Sequence, residues 1–338
     1  MVRQDLAPGR DRAGQLTAPP IAWHWSGAVR GLVTAAPAAV AAWWDVQLAA
    51  ALAVGLLPVA PLPLPPSRRA RLRLTVYGVL AAASIFLGGV LAQWPVAAVV
   101  ALALAGGALG YVIERLHRPV AVLGLALCLP LMAVGFSYPG TDTVSGLAAD
   151  ILVGSLWAVL VAVAWPSTAP PATAAQPAPP PGVMQAYGWA AGTTGAVCAA
   201  IGFAVGFEHV GWAPAAALLV MRPSAPVQHL RSLDRLVDVA IGALAAILLV
   251  LSGPPDWVYV VAIALVGTVA SATAGSRWYI LPTFTTFLVF ILLLAEDPGA
   301  ARGRFWERVA ETGLGVCLAA VAGVVMAEVL RRRAGRRA

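Results

Sequence analysis

The sequence predicts an all-α, polytopic membrane protein of about twelve transmembrane helices, arranged as two parallel six-helix repeats. Composition, the spacing of apolar runs and the placement of arginine together predict it. Of the 338 residues, 60% are hydrophobic and only 11% charged, with a mean hydropathy of +0.83. A water-soluble chain of this length needs charge to cover its surface, and long stretches here carry none. The lipid bilayer is therefore the expected partner of most side chains.

Crossing a bilayer takes roughly 20 residues of helix. Apolar runs of that order fall at 25–44, 47–65, 74–92, 95–113, 119–136, 147–165, 184–206, 211–227, 234–252, 256–274, 279–296 and 309–330. Between Trp165 and Val183 lies "PSTAPPATAAQPAPPPG", uncharged and too proline-dense for a helix, so it reads as an extended connector. The expected organisation is a cytoplasmic segment over 1–24, a first repeat over 25–165, the linker over 166–183, a second repeat over 184–330 and a basic tail over 331–338.

Charge sets the orientation. All 22 basic residues are arginines, giving a net charge of +7. They cluster at Arg3, Arg10, Arg12 and Arg30, at Arg68, Arg69, Arg71 and Arg73, at Arg115 and Arg118, at Arg222, Arg231 and Arg235, at Arg277, and at Arg331, Arg332, Arg333, Arg336 and Arg337. The alternate loops carry mainly acids: Asp45, Asp142, Glu208, Asp256, Glu296 and Asp297. Arg302, Arg304 and Arg308, partly balanced by Glu307, are the exception. Positive-inside bias then places both termini in the cytoplasm after an even number of spans. Short arginine clusters between apolar runs fit anionic headgroups rather than nucleic acid.

The two halves resemble each other in order and offset. Arg71 answers Arg235, Gly78 answers Gly242, Trp94 answers Trp257, Gly140 answers Gly299 and Asp150 answers Glu311. Both copies start on the same side, so the repeats are expected to be parallel.

The N-terminus lacks a compact apolar region, and no cleaved signal is expected. Cys128, Cys198 and Cys317 sit in apolar runs without a CxxC pair and read as packing residues. His209 beside Glu208 reads as isolated from further ligands, so no metal is expected. The chain shows no HExxH, no GxSxG and no phosphate-binding loop after a strand. No enzymatic activity and no cofactor are expected.

One stretch concentrates polarity between two apolar runs: "LLVMRPSAPVQHLRSLDRL", Leu218 to Leu236. Pro223 and Pro226 end a helix and a new one starts near His229. On it Arg231, Asp234, Arg235 and Asp238 fall at helical spacing along one face. Two readings stand: an interfacial anchor of self-compensating charges, or the wall of a substrate path. Asp238 lies one turn deeper than Asp234, where an ionised carboxylate facing lipid costs roughly 2.5–3.5 kcal/mol, so it must face protein or water. Asp150 and Glu311 pose the same choice, either coupling protons to transport or serving as interfacial structure. Glu328 reads as an ion-pair partner of the terminal arginines. Thr283, Thr285 and Thr286 read as donors to carbonyls freed by Pro282, and Trp212, Trp278 and Tyr279 either as interfacial anchors or as stacking surfaces for an aromatic ligand.

Across Trp212 to Leu244 the chain resembles the fusaric acid resistance protein-like family of integral membrane transporters, which includes bacterial aromatic acid exporters. Trp212, the Arg222-Pro223-Ser224 triplet, Arg235 and Gly242 carry the resemblance, which is clearest over roughly 186–330. Asp238 and Val239 depart from the Gly-Thr that the family commonly places after the helix-opening arginine. The resemblance implies efflux of small organic anions, aromatic carboxylates above all, across a bacterial inner membrane. Trp212, Arg222, Ser224, Arg231 and Arg235 are then the expected substrate-binding residues, and Asp238, Asp150 and Glu311, by their depth and their place in the repeats, the expected proton-coupling residues. The distant likeness to plant malate channels adds a passive anion channel and a homodimer as alternatives; a membrane scaffold without transport activity is the remaining one.

Overall fold

The computed structural model describes residues 21–116, 119–166, 182–223, 225–274, 276, 280–295 and 297–335. The expectations for Arg3, Arg10, Arg12, Arg118, Ser224, Arg277, Trp278, Tyr279, Glu296, Arg336, Arg337 and most of the proline-rich linker lie outside them. Among the described residues every regular element is helical. These are α1 (Trp25–Ala41), α2 (Val46–Leu56), α3 (Arg68–Leu72), α4 (Thr75–Leu91), α5 (Pro95–Leu116), α6 (Pro119–Leu123), α7 (Leu129–Gly135), α8 (Thr141–Ala164), α9 (Val183–Val205), α10 (Trp212–Val220), α11 (Ala225–Leu251), α12 (Asp256–Ala272), α13 (Leu281–Leu294) and α14 (Ala301–Gly335). A π-helical turn, Gly124–Cys128, joins α6 to α7, and a 3-10 turn, Pro298–Ala300, leads into α14.

Each apolar run holds a helix, yet among the described residues only five stretches are long and apolar enough to cross a membrane. They are Arg68–Leu91, Pro95–Leu116, Thr141–Ala164, Val183–Val205 and Pro298–Arg332. Proline accounts for much of the difference. Downstream of α2, Pro58, Pro61, Pro63, Pro65 and Pro66 forbid helix where the apolar run continues. Similarly, α10 stops at Val220, and Met221 turns extended (ψ 137) ahead of Pro223. At the other extreme, α14 begins upstream of its apolar run and takes in Arg302, Arg304 and Arg308.

The bundle has one acid-rich end, with Asp45, Asp142, Glu208, Asp256 and Asp297, and one arginine-rich end, with Arg68, Arg69, Arg73, Arg115, Arg222, Arg331 and Arg332. Hydrogen bonds tie the loops of each end together. Gly140 N–H donates to Gly89 O at 3.3 Å and Gly211 N–H to Ser137 Oγ at 3.0 Å at the first end. Ala22 N–H donates to Ser276 Oγ at 2.9 Å at the second.

Two seams join the halves of the chain: α5 packs along α9, and α1 along α12. Both are lined by small residues that let backbones touch. A Cβ at Gly106 would stand 2.5 Å from Gly192 Cα, and one at Gly31 would stand 2.3 Å from Gly267 O. Within the first half α2 and α4 pack on α8, α4 on α7 and α1 on α2; within the second, α10 and α11 pack on α14, α11 on α13 and α9 on α10. α2 also meets α13, and α10 meets α7.

The short helix α10 is the innermost element. Seven consecutive residues from Trp212 to Leu218, and Val220, are buried. At about 1.5 Å per residue it spans less than half of a bilayer, so both of its ends lie inside protein and need partners there.

Candidate functional site

The partners of α10 define the site. At its N-terminus the Ala213 N–H donates to Glu311 Oε2 at 3.2 Å, placing a carboxylate against the positive end of the helix dipole. At its C-terminus the Tyr187 hydroxyl donates to Met221 O at 3.1 Å, and the Arg222 guanidinium reaches the same carbonyl. Gln228, on α11, accepts the Arg222 N–H at 3.3 Å and donates to Ala319 O at 2.6 Å, locking the extended turn to α14.

Around the N-terminus of α10 lies a charged cluster with little exposure. Arg235 is 5% exposed, Asp238 8%, Arg308 6% and Glu311 0%. Arg308 and Glu311 come from α14, one turn apart on the face turned to α10, while Arg235 and Asp238 come from α11. Arg308 places its guanidinium carbon 4.5 Å from the centre of the Trp212 ring. That ring also stacks on the His209 imidazole, 4.0 Å away and 9° from parallel, and on Phe290 of α13 at 6.0 Å. Asp238 Oδ1 accepts a hydrogen bond from Thr283 Oγ1 of α13 at 2.8 Å.

Several buried polar atoms here have no hydrogen-bond partner: Arg308 Nε, Asp238 Oδ2, Glu311 Oε1, Thr286 Oγ1 and Thr312 Oγ1. Unmatched capacity of this kind is costly in a core and is concentrated where a protein binds polar ligands or stores charge. Glu307 and Glu311 stand four residues apart on one face of α14, a single helical turn from each other.

Towards the acid-rich end, Glu307 is held by His209 twice. The His209 backbone N–H donates to Oε1 at 3.0 Å, and its Nδ1 lies 3.1 Å from Oε2. Arg304 reaches Glu208 at 3.7 Å and also caps Leu293 O. The expectation of an isolated His209 is therefore corrected. The ligand atoms of Glu208, His209 and Glu307 lie within 4.8 Å of one another. Arg304 already supplies the positive charge beside them.

The residues named from the sequence divide into two groups. Arg235, Asp238, Trp212 and Glu311 converge on the cluster. Asp238 turns to protein, as its depth requires. Arg235 lies well inside α11 and is buried, a correction to its placement among interfacial arginines. Arg222 and the half-buried Arg231 belong instead to the Tyr187 turn at the arginine-rich end. Asp150 is half-buried in the first half, near Asp45 and away from the arginines of the cluster. Of the threonines, only Thr285 returns a hydrogen bond to the Leu281 carbonyl, at 3.1 Å.

Arg308, Glu307 and His209 were missed by sequence reasoning, which left the first two in a loop. The signal was present: Arg304, Glu307, Arg308 and Glu311 repeat at helical spacing, a polar stripe running into an apolar segment.

Two arginines of the first half, the buried Arg71 and the half-buried Arg30, are used differently. Arg71, fully buried, donates from Nε to Pro65 O at 2.8 Å and from NH1 to Ala162 O at 2.9 Å and to Trp165 O, closing the end of α8. Arg30 donates to Ala60 O at 3.0 Å and Leu62 O at 3.2 Å. Main-chain carbonyls absorb these cations, whereas Arg308 faces carboxylates and an indole.

An all-helical apolar chain with charge gathered inside its bundle has the character of a transporter-type membrane protein. Residues 197–322 match the model of the fusaric acid resistance protein-like family. The match bears out the resemblance carried by Trp212, Arg222, Pro223, Arg235 and Gly242, and it contains the whole charged cluster. No curated protein and no solved structure matches the chain.

Proposed function

We propose that the protein exports small organic anions, with aromatic carboxylates as the preferred class, through the cluster at the start of α10. The observation that carries this reading is Arg308: a buried guanidinium beside an indole ring, with an unused Nε donor and carboxylates one turn away. Carboxylate recognition by a guanidinium and stacking of an aromatic ring on Trp212 are two halves of one ligand's chemistry. Arg235 adds a second cation. Asp238 keeps the site from holding an anion too tightly to release it.

The reading places the arginine-rich end in the cytoplasm. Arg222 and Arg231, beside the Tyr187 turn, then form the cytoplasmic approach, and Ser224 would belong to it. An inside-negative potential drives an anion outward by about 2.3 kcal/mol per charge per 100 mV. Protons enter through Glu311: when it is protonated, Arg308 loses its nearest counter-charge and is available to the anion. Asp150 holds the corresponding position in the first half, and Asp238 is the other carboxylate within the cluster.

The proposal includes two parallel six-helix units. Its support is the symmetry of packing: α1 on α12 corresponds to α9 on α5, α2 on α8 to α10 on α14, α4 on α8 to α11 on α14, and α2 on α13 to α10 on α7. Gly154 meets Leu52 O at 2.4 Å from its built Cβ position, and Gly315 meets Ala213 O at 2.3 Å, which puts Asp150 and Glu311 at matching places one turn earlier. The second unit alone carries the charged cluster.

Proteoliposomes test the function. Phthalate, a dianion that leaks slowly through bare lipid, is the probe. Saturable phthalate flux that is lost in Arg235→Gln and Arg308→Gln, with both variants still folded and inserted, is the expected result. Full flux in either variant removes that residue from the site. Current that only follows the electrochemical gradient, with no dependence on pH, replaces the exporter by a passive anion channel.

A further inference from the structure

We infer that His209, Glu307 and Glu311 form a proton path from the acid-rich end of the bundle to Arg308, an inference that rests on the anion-site reading for its functional meaning. The three groups make a continuous chain. His209 Nδ1 is 3.1 Å from Glu307 Oε2, and Glu311 follows Glu307 by four residues, one turn further along the same face of α14. The chain runs inward from an open mouth: the neighbouring Glu208 side chain is 62% exposed, those of His209 and Glu307 are 6% and 16% exposed, and Glu311 is fully buried.

Geometry fixes each member. The backbone N–H of His209 holds Glu307 Oε1 while the ring addresses Oε2, so the carboxylate cannot rotate away. The ring is flat against Trp212. Neither arrangement is needed for packing alone, since an apolar pair of the same shape would cost less inside the bundle.

The step is a proton transfer and balances as one. The neutral ring, with its proton on Nδ1, takes a second proton at Nε2 from water at the acid-rich end. The imidazolium so formed gives its Nδ1 proton to Glu307 Oε2 and is left neutral with its proton on Nε2, so a turn of the ring or a proton exchange with water resets it. The Glu307 carboxyl then passes its proton to Glu311, so that one proton has entered and Arg308 has lost a negative neighbour. The other groups around the chain are Glu208 before α10, Tyr138 after α7, Arg304 and Arg308 on α14, and Arg235 and Asp238 on α11. Burial pushes the Tyr138 phenol up to about 12, so it stays neutral and outside the relay. Arg304 is engaged with Glu208 and Leu293 O.

Rapid-mixing infrared spectroscopy of the full chain in nanodiscs tests this without any transported ligand. The readout is the protonated-carboxyl stretch that disappears in Glu311→Gln, followed after a step from alkaline to acid buffer. In His209→Asn and, independently, in Glu307→Gln, the rise of that band is expected to slow by about tenfold or more. Glu307→Gln keeps the side-chain shape, so it decides the matter if His209→Asn does not fold. A wild-type rate in a folded Glu307→Gln overturns the path, and so does a Glu311 band that never responds to the step. Slowing in a protein that moves no phthalate leaves the path standing and removes the anion reading; phthalate flux with unslowed variants does the reverse.

Discussion

Arg308 and Trp212 come from helices nearly a hundred residues apart in sequence and meet inside the bundle, guanidinium over indole at 4.5 Å. Such a contact contributes about 0.5–2 kcal/mol. Trp212→Leu is therefore expected to lower stability by roughly that amount plus the cavity it leaves, and to raise the half-saturating phthalate concentration. Trp212→Phe should retain most of the affinity. Concentration-dependent flux and thermal melts of the two variants separate these effects.

Asp238 and Thr283 make a second test. Asp238→Asn keeps the acceptor for Thr283 and removes a negative charge near Arg235. It is expected to tighten phthalate binding severalfold while slowing release, seen as a lower half-saturating concentration with a lower maximal flux. Thr283→Val instead leaves Asp238 without its donor and should cost about 1–3 kcal/mol of stability.

Arg71 predicts a stability defect without a transport signature. It donates to carbonyls on the α2–α3 connection and at the end of α8, and a glutamine is too short to reach both, so Arg71→Gln should destabilise the protein by about 3 kcal/mol. The pH dependence of flux in the surviving fraction should match wild type. A shifted profile would show that the first half takes part in the proton step.

Surface charge at the end of α14 behaves otherwise. Glu328 pairs with Arg331 at 3.0 Å and with Arg332 at 2.7 Å, in the open. Glu328→Ala is expected to change stability by less than about 0.5 kcal/mol, measurable as an unshifted melt in high salt.

The seam between α5 and α9 predicts the opposite extreme. Gly106→Leu drives a side chain into the Gly188–Gly192 backbone, and repacking there should cost about 1–3 kcal/mol or more. Loss of the monodisperse peak in detergent would register it.

Helix content was legible because hydropathy alone reports which runs prefer lipid or core. Helix ends were less so. The prolines from Pro58 to Pro66 were visible, but an apolar count runs through them, and the same count started α14 too late by excluding its arginines. Asp238 was legible as inward-facing from the cost of charge in lipid. The His209–Glu307 contact was not, since its partners are 98 residues apart and nothing local to either residue announces the other. Arg71 and Arg235 matched as letters, and only the fold distinguishes a cation absorbed by carbonyls from one set beside carboxylates.

The glycine seams constrain how this machine can turn over. Backbones locked in van der Waals register along α1–α12 and α5–α9 forbid the two halves from parting like the covers of a book. Any rearrangement within the bundle must then leave these seams intact and be confined to the elements they enclose.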